Sequence, residues 1–544
     1  MTTPTIPVPT TLDFTAAAGW PVRAAAHVLG AGLLLAVLVA LPVAPTDLDR
    51  HQLPKETVVH LFTWVAVLLA RPLPSRGLRP AAFWSVTALL VITIVSGVMA
   101  SNGWLALRAG SLVVTGVAAF VTARYLAAAG VGAIVLSWCC VAAIVGAGTG
   151  LAQVYGVRSA LFAATRIPGG TFGNRNFMAH FAGLGLPVLM LVALSARRQL
   201  VTVAVSVGCA VLVAAIVLSR SRAAWVGSGS GTLLFLGLCL AARRRHALPA
   251  LSRRVLILGG VMTAGVIAAM VIPNRLAWRS ASPYLDTFTA LANHDEGSGH
   301  GRVLQYRNTV RLARQHPLFG VGPGNWPVRY GEVAPPSDPT WVFGDVVPIN
   351  PWPSSDWMAL LSEFGILAVL AALLFGVALA WRGLAAARGN GDRVLGGAAL
   401  LALLAVTFIE GNLDAVLLLP VPLLFVAMSA GALLQRSDDT PGAAAIPFGA
   451  PARAAFLLPV VHSVITLRSA MQTAAYTVAG SGRSVARLAW AARVDPGSYP
   501  IRIALAQRES CADAKNDVIA AVRMAPTWPA TIAAARRCGI RIQK

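Results

Sequence analysis

The sequence has little charge for its length. Charged residues make up 12% of its 544 residues, hydrophobic residues make up 56%, and the mean hydropathy is +0.69. A soluble globular domain of this size is excluded, because about a quarter of such a domain is normally charged. A transmembrane helix needs about 20 consecutive apolar residues, and the chain has many such runs between short polar loops. The sequence predicts an all-α, polytopic transmembrane protein.

Cysteine is also scarce, with six residues in the chain and none at Cys-x-x-Cys or Cys/His metal spacing. We therefore expect no metal site and no cofactor. Four of the cysteines fall in apolar runs and are expected to serve as small packing residues. Cys511 and Cys538 lie in the C-terminal tail, where an oxidising compartment would allow a disulfide between them.

Acidic residues are few, with 21 against 44 basic residues and a net charge of +23. No nucleic-acid-binding motif accompanies this charge, so we expect membrane lipids and not nucleic acid as the charged partner. The loops after the even-numbered apolar runs collect arginine, and cytoplasmic loops are enriched in arginine and lysine. We predict a cytoplasmic N-terminus and odd-numbered spans that exit on the outer side.

Twelve spans are predicted from the apolar runs. The first run is longer than the apolar core of a signal peptide, so it is taken as a retained helix. A weaker thirteenth span lies near 448–467, where Pro451 and Pro459 interrupt the pattern. The twelve lie near residues 22–43, 55–70, 81–100, 105–127, 130–152, 177–195, 200–218, 224–241, 254–272, 357–381, 393–409 and 413–434.

These runs divide the chain into three parts. Residues 1–435 form the transmembrane part, including a large outward loop at 273–356, and residues 436–469 form a linker that holds the thirteenth span. In the tail, 470–544, "AARVDPGSYP" is echoed by "AVRMAPTWP" about thirty positions later. This period favours tetratricopeptide-like helical hairpins. The alternative is a plain amphipathic helical tail, which lies on the outer side if the thirteenth span exists.

Arginines accumulate on the predicted outer side, against the usual charge rule. In the large loop, Arg307, Arg311 and Arg314 share one face of a predicted helix. Guanidinium groups bind phosphate oxygens in bidentate fashion and stay charged, which favours an anionic ligand such as a lipid-linked phosphate. The alternative for individual arginines is pairing with lipid headgroups or with solvent.

Two shorter outward loops carry further candidate ligand groups. "PGGTFGNRNFMAHF" has glycines that permit close backbone approach, and it places Asn174, Arg175 and Asn176 just before span six. A helix-capping turn is the alternative explanation of its asparagines. "SRSRAAW" places Arg220 and Arg222 at the outer boundary between spans seven and eight.

Together these motifs resemble the O-antigen ligase and polymerase superfamily of bacterial envelope glycosyltransferases. The resemblance covers about Val22 to Leu434, and the tail resembles an extension found in some members. The matching segments occur in the family's order: "GGTFGNRN", "SRAAW", "GR" followed by "HPLFGVGPGNW", and "SSDWMALLSEFG".

The resemblance implies an inverting, metal-independent transferase of the bacterial inner membrane with its active site facing the periplasm. The implied donor is a glycan on undecaprenyl diphosphate, and the implied acceptor is lipid A–core, a growing glycan or a protein hydroxyl. Arg222 and Arg302 match the family's arginines and would bind the diphosphate as it leaves. The remaining expected substrate-binding residues are Arg175, Arg220, Arg307, Asn174 and Asn176.

The sequence departs from the family where a histidine is the expected general base. That position is Ser354 here, and an unassisted serine hydroxyl is a poor base. Asp356 is the nearest replacement, with capping of the next helix as the competing role. Glu363 is expected two turns further along the same helical face. His300 and His316 are alternative bases.

Two other functional classes remain open at this point. A flippase for the same lipid-linked glycan would also need outward arginines, but its span interiors should carry polar residues, and here these are nearly all apolar. A non-catalytic glycan-binding scaffold would explain the missing histidine and the repeat-like tail. An envelope glycan ligase accounts for the one-sided polar groups best, with the polymerase and the protein-glycosylating transferase as variants of the same architecture.

Overall fold

A computed structural model describes most of the chain. It covers residues 19–44, 46–70, 80–248, 252–278, 280–289, 297–335, 338, 351–436 and 457–541. Within these ranges the regular structure is helical and contains no strand. The prediction of an all-α polytopic protein is therefore confirmed.

Eleven helices in the described part of the chain are long and apolar enough to cross a membrane, which makes this an integral membrane protein. They correspond to the first eleven predicted spans. They are α1 (Trp20–Leu38), α2 (Asp47–Ala70), α3 (Pro80–Val98), α4 (Gly103–Ala128), α5 (Gly132–Val154), α6 (Arg175–Ser195), α7 (Gln199–Ser219), α8 (Arg222–Arg244), α9 (Ser252–Val271), α14 (Ile366–Ala387) and α15 (Asp392–Leu413).

The other helices belong to the large loop, the twelfth predicted span and the tail. The twelfth span is a shorter apolar helix, because its chain first forms an irregular segment after α15. These helices are α10 (Pro283–Thr289), α11 (Gly297–Gln315), α12 (Trp326–Arg329), α13 (Asp356–Ala359), α16 (Pro420–Arg436), α17 (Leu457–Ala479), α18 (Val485–Val494), α19 (Tyr499–Ala506), α20 (Cys511–Met524) and α21 (Pro529–Arg537).

Helix α6 is the centre of the bundle. Its most apolar stretch is 94% buried, and that of α15 is 72% buried, whereas α9 and α14 are largely exposed to the surroundings. Helix α6 packs against α5, α7, α8 and α15. A polar residue on α6 or α15 therefore lies inside protein and away from lipid, which is where such residues are tolerated in a membrane protein.

The predicted continuous helix at 357–381 is wrong. The chain forms α13 and a π-helical turn, Leu360–Phe364, and then breaks at Gly365 before α14 begins. Gly365 has a φ of 82°, and a Cβ there would lie 2.2 Å from the Leu318 carbonyl oxygen. The chain of the large loop thus packs directly on this break, and Ile366 N–H donates to the Pro317 carbonyl. Glu363 therefore does not lie two regular turns beyond Asp356.

Helix α17 runs antiparallel to α2. Its start, at Val461, packs beside Val67, and its end, at Tyr476, packs beside Leu53. Midway, the Thr57 hydroxyl hydrogen-bonds the Ser469 and Thr473 hydroxyls. Helix α17 thus extends along the depth of the bundle, although Arg468 and Gln472 make it less apolar than the eleven spans. The thirteenth span stays a prediction, and residues 448–456 of it lie outside the described residues.

The tail helices dock on the end of the bundle that carries the large loop, here named the loop side. Trp528 Nε1 donates to the Pro327 carbonyl at 2.7 Å, and Trp104 Nε1 at the start of α4 donates to Asp495 at 2.6 Å. Each tail helix packs on the next, and prolines occupy the first turns of α19 and α21. This agrees with two helical hairpins, and the tetratricopeptide assignment itself stays a prediction.

A disulfide joins Cys511 at the start of α20 to Cys538 at the end of α21. This confirms the expected pairing of the two tail cysteines. The other four cysteines are free and buried, as expected of packing residues.

The disulfide gives a simple prediction for thiol counting. Protein denatured without reductant is expected to react with a maleimide at four cysteines, and at six after reduction, because one disulfide hides two thiols. Intact-mass spectrometry counts the adducts. Cys511→Ser is the control and should give five adducts without reductant, since it releases Cys538. Six adducts on unreduced wild-type protein would contradict the pairing.

Candidate functional site

Asp414 is the centre of a polar cluster on the loop side of the bundle. It follows the last residue of α15, and its side chain is 11% exposed. Its Oδ2 accepts a hydrogen bond from Asn176 Nδ2 at 2.9 Å and lies 3.4 Å from Arg302 Nη2. The start of α6, the start of α11 and the end of α15 therefore meet at one carboxylate oxygen.

A fully buried histidine continues this cluster into the bundle. His180 on α6 places Nε2 3.5 Å from Asp414 Oδ2 and Nδ1 3.4 Å from Glu410 Oε2. An imidazole between two carboxylates can donate from both ring nitrogens only when protonated. The three side chains thus form a row of ion-pair contacts from Asp414 to Glu410, in which neither His180 nitrogen has a hydrogen bond of good geometry within the described residues.

Two glycines create the space for Glu410. A Cβ on Gly183 of α6 would lie 2.5 Å from Glu410 Oε1, and one on Gly227 of α8 would lie 2.5 Å from Glu410 Cγ. The carboxylate therefore fits only because both neighbouring helices lack a side chain at these points. Close helix packing through small residues is common in membrane proteins, and here it holds an acidic group beside His180.

The pKa of Asp414 reflects these neighbours. Burial alone would raise this pKa, but the contact with His180 and the positive charge of Arg302 outweigh burial and lower the pKa to about 2. Asp414 is therefore ionised at neutral pH. It balances part of the positive charge that would otherwise accumulate around the cluster.

The predicted arginines form two groups, one with Arg302 and one at the ring of Trp278. Arg222, at the start of α8, lies close enough to Arg302 for their like charges to interact. Arg175 and Arg220 share the ring of Trp278, at 5.6 and 4.8 Å from its centroid. Arg220 also donates to the Thr287 hydroxyl at 2.7 Å. Stacking on one indole fixes two guanidinium groups side by side.

Asn174 and Arg307 are two further predicted substrate-binding residues, and their surroundings differ. Asn174 caps α6, because its side chain accepts from Asn176 N–H at 2.9 Å, so the capping alternative is correct for this residue. Arg307 is exposed on α11, on the face that it shares with the exposed Arg311 and Arg314. That shared face confirms the periodicity, and the substrate-binding role of Arg307 stays a prediction.

Asp356 binds the chain that follows Asp414. Its Oδ1 accepts from Val416 N–H at 2.9 Å and Leu418 N–H at 3.3 Å, and its Oδ2 accepts from Leu417 N–H at 2.8 Å. Burial raises its pKa to about 7 despite these three hydrogen bonds. The carboxylate fixes the segment 414–418, and its assignment as the general base stays a prediction.

Ser354 and Ser355 hold the same junction together. Ser355, and not Asp356, caps α13, and its hydroxyl donates to the Gly411 carbonyl at 3.0 Å. The Ser354 N–H donates to Gln305 Oε1 at 2.7 Å, and its carbonyl accepts from the Tyr306 hydroxyl. The helix-capping alternative for Asp356 is therefore wrong by one residue. Both serines tie α13 to α11 and α15.

Glu363 binds the turn of the large loop. Its Oε2 accepts from Gly324 N–H at 2.8 Å and its Oε1 from Trp326 N–H at 3.2 Å. Burial raises the pKa of this carboxyl to about 7, and the two backbone hydrogen bonds oppose that rise. Glu363 therefore holds the "GPGNW" turn, which explains a glutamate inside this apolar segment.

Glu363→Gln is expected to loosen that turn. A glutamine side chain has one acceptor oxygen, so one of the two buried N–H groups loses its partner at a cost of about 1–3 kcal/mol. Hydrogen exchange at residues 324–326 should accelerate roughly 10- to 100-fold, measured by mass spectrometry. Glu332→Gln is the matched control on the same loop, because Glu332 pairs only with the partly exposed Arg329. Equal exchange in both variants would contradict this role.

The alternative histidines, His300 and His316, both lie in the large loop. His300 is exposed on α11, and His316 has Nε2 3.5 Å from Arg329 Nη2. In the described ranges, no group of three or more His, Cys, Asp or Glu side chains has a geometry that would hold a metal ion. Metal-independent chemistry stays a prediction.

The site combines arginine side chains with the buried residues His180 and Glu410. It lies at the loop side of the helical bundle. A family model described as O-antigen ligase matches residues 204–373. This match supports the resemblance of the chain to the O-antigen ligase superfamily. A search of curated proteins finds no match to the chain.

The O-antigen ligase match covers only some residues of the Asp414 cluster. It includes the α7–α8 arginines, α11 with Arg302, and the segment from Ser354 to Glu363. His180, Glu410 and Asp414 lie outside it, on α6 and at the end of α15. The family match therefore supports a membrane protein of a glycosyl-transfer family. The three acid–base groups, His180, Glu410 and Asp414, come from sequence outside the match.

Proposed function

We propose that this protein transfers a glycan from undecaprenyl diphosphate to an acceptor hydroxyl, as an O-antigen ligase does, at the outer face of the bacterial inner membrane. The observation that carries the proposal is the contact of Arg302 with Asp414 at 3.4 Å, with Arg222 near enough for the charge of Arg302 to act on it. Two guanidinium groups beside a carboxylate match a reaction that releases a diphosphate while a hydroxyl loses a proton.

The arginines would hold the donor. The charge of Arg302 acts on Arg222, and a diphosphate bound by both would relieve their repulsion and gain bidentate hydrogen bonds. Arg175 and Arg220, fixed on Trp278, provide a second cationic pair for the remaining phosphate oxygens or the lipid headgroups. As the glycosidic bond breaks, negative charge grows on the diphosphate, and the same arginines stabilise it without a metal ion.

The acceptor would lose its proton at Asp414. The carboxylate is the most exposed member of the row that continues through His180 to Glu410. The hydroxyl oxygen attacks the anomeric carbon from the face opposite the diphosphate, so the configuration inverts, and its proton moves to Asp414 as the new bond forms. His180 can then pass a proton inward to Glu410. Asp356, which fixes the 414–418 segment, is assigned a positioning role.

Transfer to a growing glycan or to a protein hydroxyl would use the same donor site. The structure offers no feature that favours one acceptor, so the ligase reaction is proposed on the family match. A flippase is less well supported, because the acid–base row ends inside the bundle at Glu410, among buried residues of α6 and α8.

A reconstituted transfer assay tests the proposal. Purified protein in liposomes would receive a fluorescent undecaprenyl-diphosphate oligosaccharide together with lipid A–core, a free glycan chain or a peptide with serine and threonine. Formation of a larger glycoconjugate, with release of undecaprenyl diphosphate measured by mass spectrometry, is the expected result. Absence of transfer to all three acceptors, with a protein that still binds the donor, would exclude the enzyme.

A further inference from the structure

We propose that a cavity under the tail binds one saccharide unit of a glycan substrate, an inference that rests on the proposed glycan transfer. This tail cavity has a volume of about 140 Å³. Helices α2 and α4 form one wall, α17 and the α18–α19 turn form another, and the loop turn at Gly324 with the start of α16 completes it. It therefore exists only where the bundle, the large loop and the tail meet.

Four aromatic residues line the tail cavity. Trp104, Trp352, Tyr476 and Tyr499 all face the cavity. Gly497 packs directly on the Trp104 ring, where a Cβ would lie 2.0 Å from Cγ, so this ring is held in place. Ligand pockets combine apolar walls with a few placed polar groups. Flat rings suit the apolar C–H faces of a sugar, which leaves the sugar's hydroxyl groups to be met by polar side chains.

One polar side chain in the tail cavity has no protein partner. The Gln52 amide lines the cavity, its residue is only 4% exposed, and it makes no hydrogen bond within the described part of the chain. The nitrogen and oxygen of this amide are not fully enclosed by protein, so they are open to the cavity, where a ligand can hydrogen-bond them. A hydroxyl-rich ligand would supply both a donor and an acceptor to this amide.

The neighbouring charges favour a sugar over an anionic or lipid ligand. Glu56 lines the cavity with its carboxylate bound by Arg108 Nε at 2.9 and 3.1 Å, and Asp49 and Glu363 line it as well. Arg108 also lines the cavity and pairs with Glu56 and Asp49. The lining still has more carboxylates than guanidinium groups, which disfavours a phosphate. The volume holds roughly ten waters at 10–15 Å³ each, which is about the number of non-hydrogen atoms in one hexose and too few for a long lipid chain.

The tail cavity adjoins the Asp414 cluster. Trp352 lines the cavity and also packs on Phe177 of α6, with ring centroids 6.2 Å apart. Leu418 lines the cavity, and its N–H donates to Asp356 Oδ1. A saccharide held here lies one short segment away from Asp414, so it belongs either to the acceptor glycan or to the donor glycan.

Saturation-transfer NMR on the purified full-length protein tests binding without any donor. Glucose, galactose, mannose and N-acetylglucosamine serve as probes. At least one should receive saturation from wild-type protein, and Gln52→Met, which keeps the side-chain length but removes the amide, should weaken its binding about tenfold, as one lost hydrogen bond to a buried group predicts. Gln507→Met is the matched control on the exposed tail surface and should bind as wild type. No saturation of any probe, or equal binding by Gln52→Met, would overturn the proposal.

Transfer kinetics separate the two sources of the saccharide and the two proposals. If the cavity holds the acceptor, Gln52→Met raises KM for the acceptor alone; if it holds the donor glycan, KM for the donor rises instead. Unchanged values for both, with active wild-type enzyme, overturn the cavity and leave the transferase intact. Sugar binding that depends on Gln52 in a protein without transfer activity supports the cavity and rejects the transferase.

Discussion

Arg302→Gln is expected to lower glycan transfer about 100- to 1000-fold, the usual effect of removing one group that stabilises developing negative charge. Arg302 is a quarter exposed and lies 3.4 Å from Asp414 Oδ2. Glutamine keeps much of the length but loses the charge and the bidentate geometry, so the departing diphosphate is stabilised less. The measurement is kcat in the liposome assay at saturating donor and acceptor.

Arg307→Gln is the matched control for this prediction. It makes the same chemical change five residues later on α11, but on the exposed face of the helix. Its transfer rate should stay within about threefold of wild type, as expected for a surface charge screened by salt. Arg302→Lys should fall between the two variants, because lysine keeps the charge without the fork. Equal losses in both glutamine variants would show that the arginines act only as a general positive surface.

The sequence predicts the helices of the bundle well, because apolar runs are long and loops are short. Helix ends are predicted less well. The eleventh span was predicted to end at 409, but α15 continues to Leu413. Glu410 therefore lies inside the helix and not in a loop. The sequence does not reveal whether Glu410 belongs to the helix or to the loop, because an acidic residue near the end of an apolar run fits either position.

The break at Gly365 illustrates a different limit. The segment 357–381 is apolar apart from Ser362 and Glu363, so periodicity favours one long helix. The break results from the loop chain at 317–324, which occupies the space beside Gly365 and bonds to Glu363. Such a contact between distant segments cannot be read from local pattern. The glutamate itself was the available signal, since a carboxylate in an apolar helix requires partners.

The sequence predicts the arginines of the candidate site but not its histidine, His180. Arg302 and Asn176 meet at Asp414, because each lies near the loop-side end of a helix, and their role in substrate binding stays a prediction. His180 was overlooked because the family's histidine was expected at position 354. Its signal was its location within a predicted span, where ionisable residues are rare and usually functional. Its two carboxylate partners come from α15, more than two hundred residues away.

The position of His180 changes the meaning of Ser354. Ser354 uses its backbone groups to join α13 to α11, so a serine there is explained by structure alone. Asp356 likewise uses both carboxylate oxygens to bind backbone amides of 416–418. Neither residue needs to replace a missing base if the acceptor's proton moves to Asp414.

The Asp414→Asn and Asp356→Asn variants are therefore expected to differ in their effect on the rate of glycan transfer. Asp414→Asn should lower kcat about 100- to 10,000-fold, the range for a lost proton acceptor, and it should also lower the unfolding temperature, because the folded protein holds the pKa of this carboxyl below its ordinary value. Asp356→Asn should keep transfer within about tenfold but destabilise the protein by about 1–3 kcal/mol, because an amide cannot satisfy all three N–H groups. Transfer kinetics and thermal unfolding of each variant provide the measurements.

Asp286→Asn is the control for both variants, since Asp286 is exposed on α10, and it should change neither the rate nor the stability. The opposite pattern, an active Asp414→Asn and an inactive but stable Asp356→Asn, would assign the proton to Asp356 and leave Asp414 as a counter-charge for Arg302. Asp356, with a pKa near 7, would then be the better-matched base, and its three amide bonds would have to rearrange when the acceptor binds. The two variants thus decide whether the proton moves through the family segment at 354–356 or through the row of Asp414, His180 and Glu410.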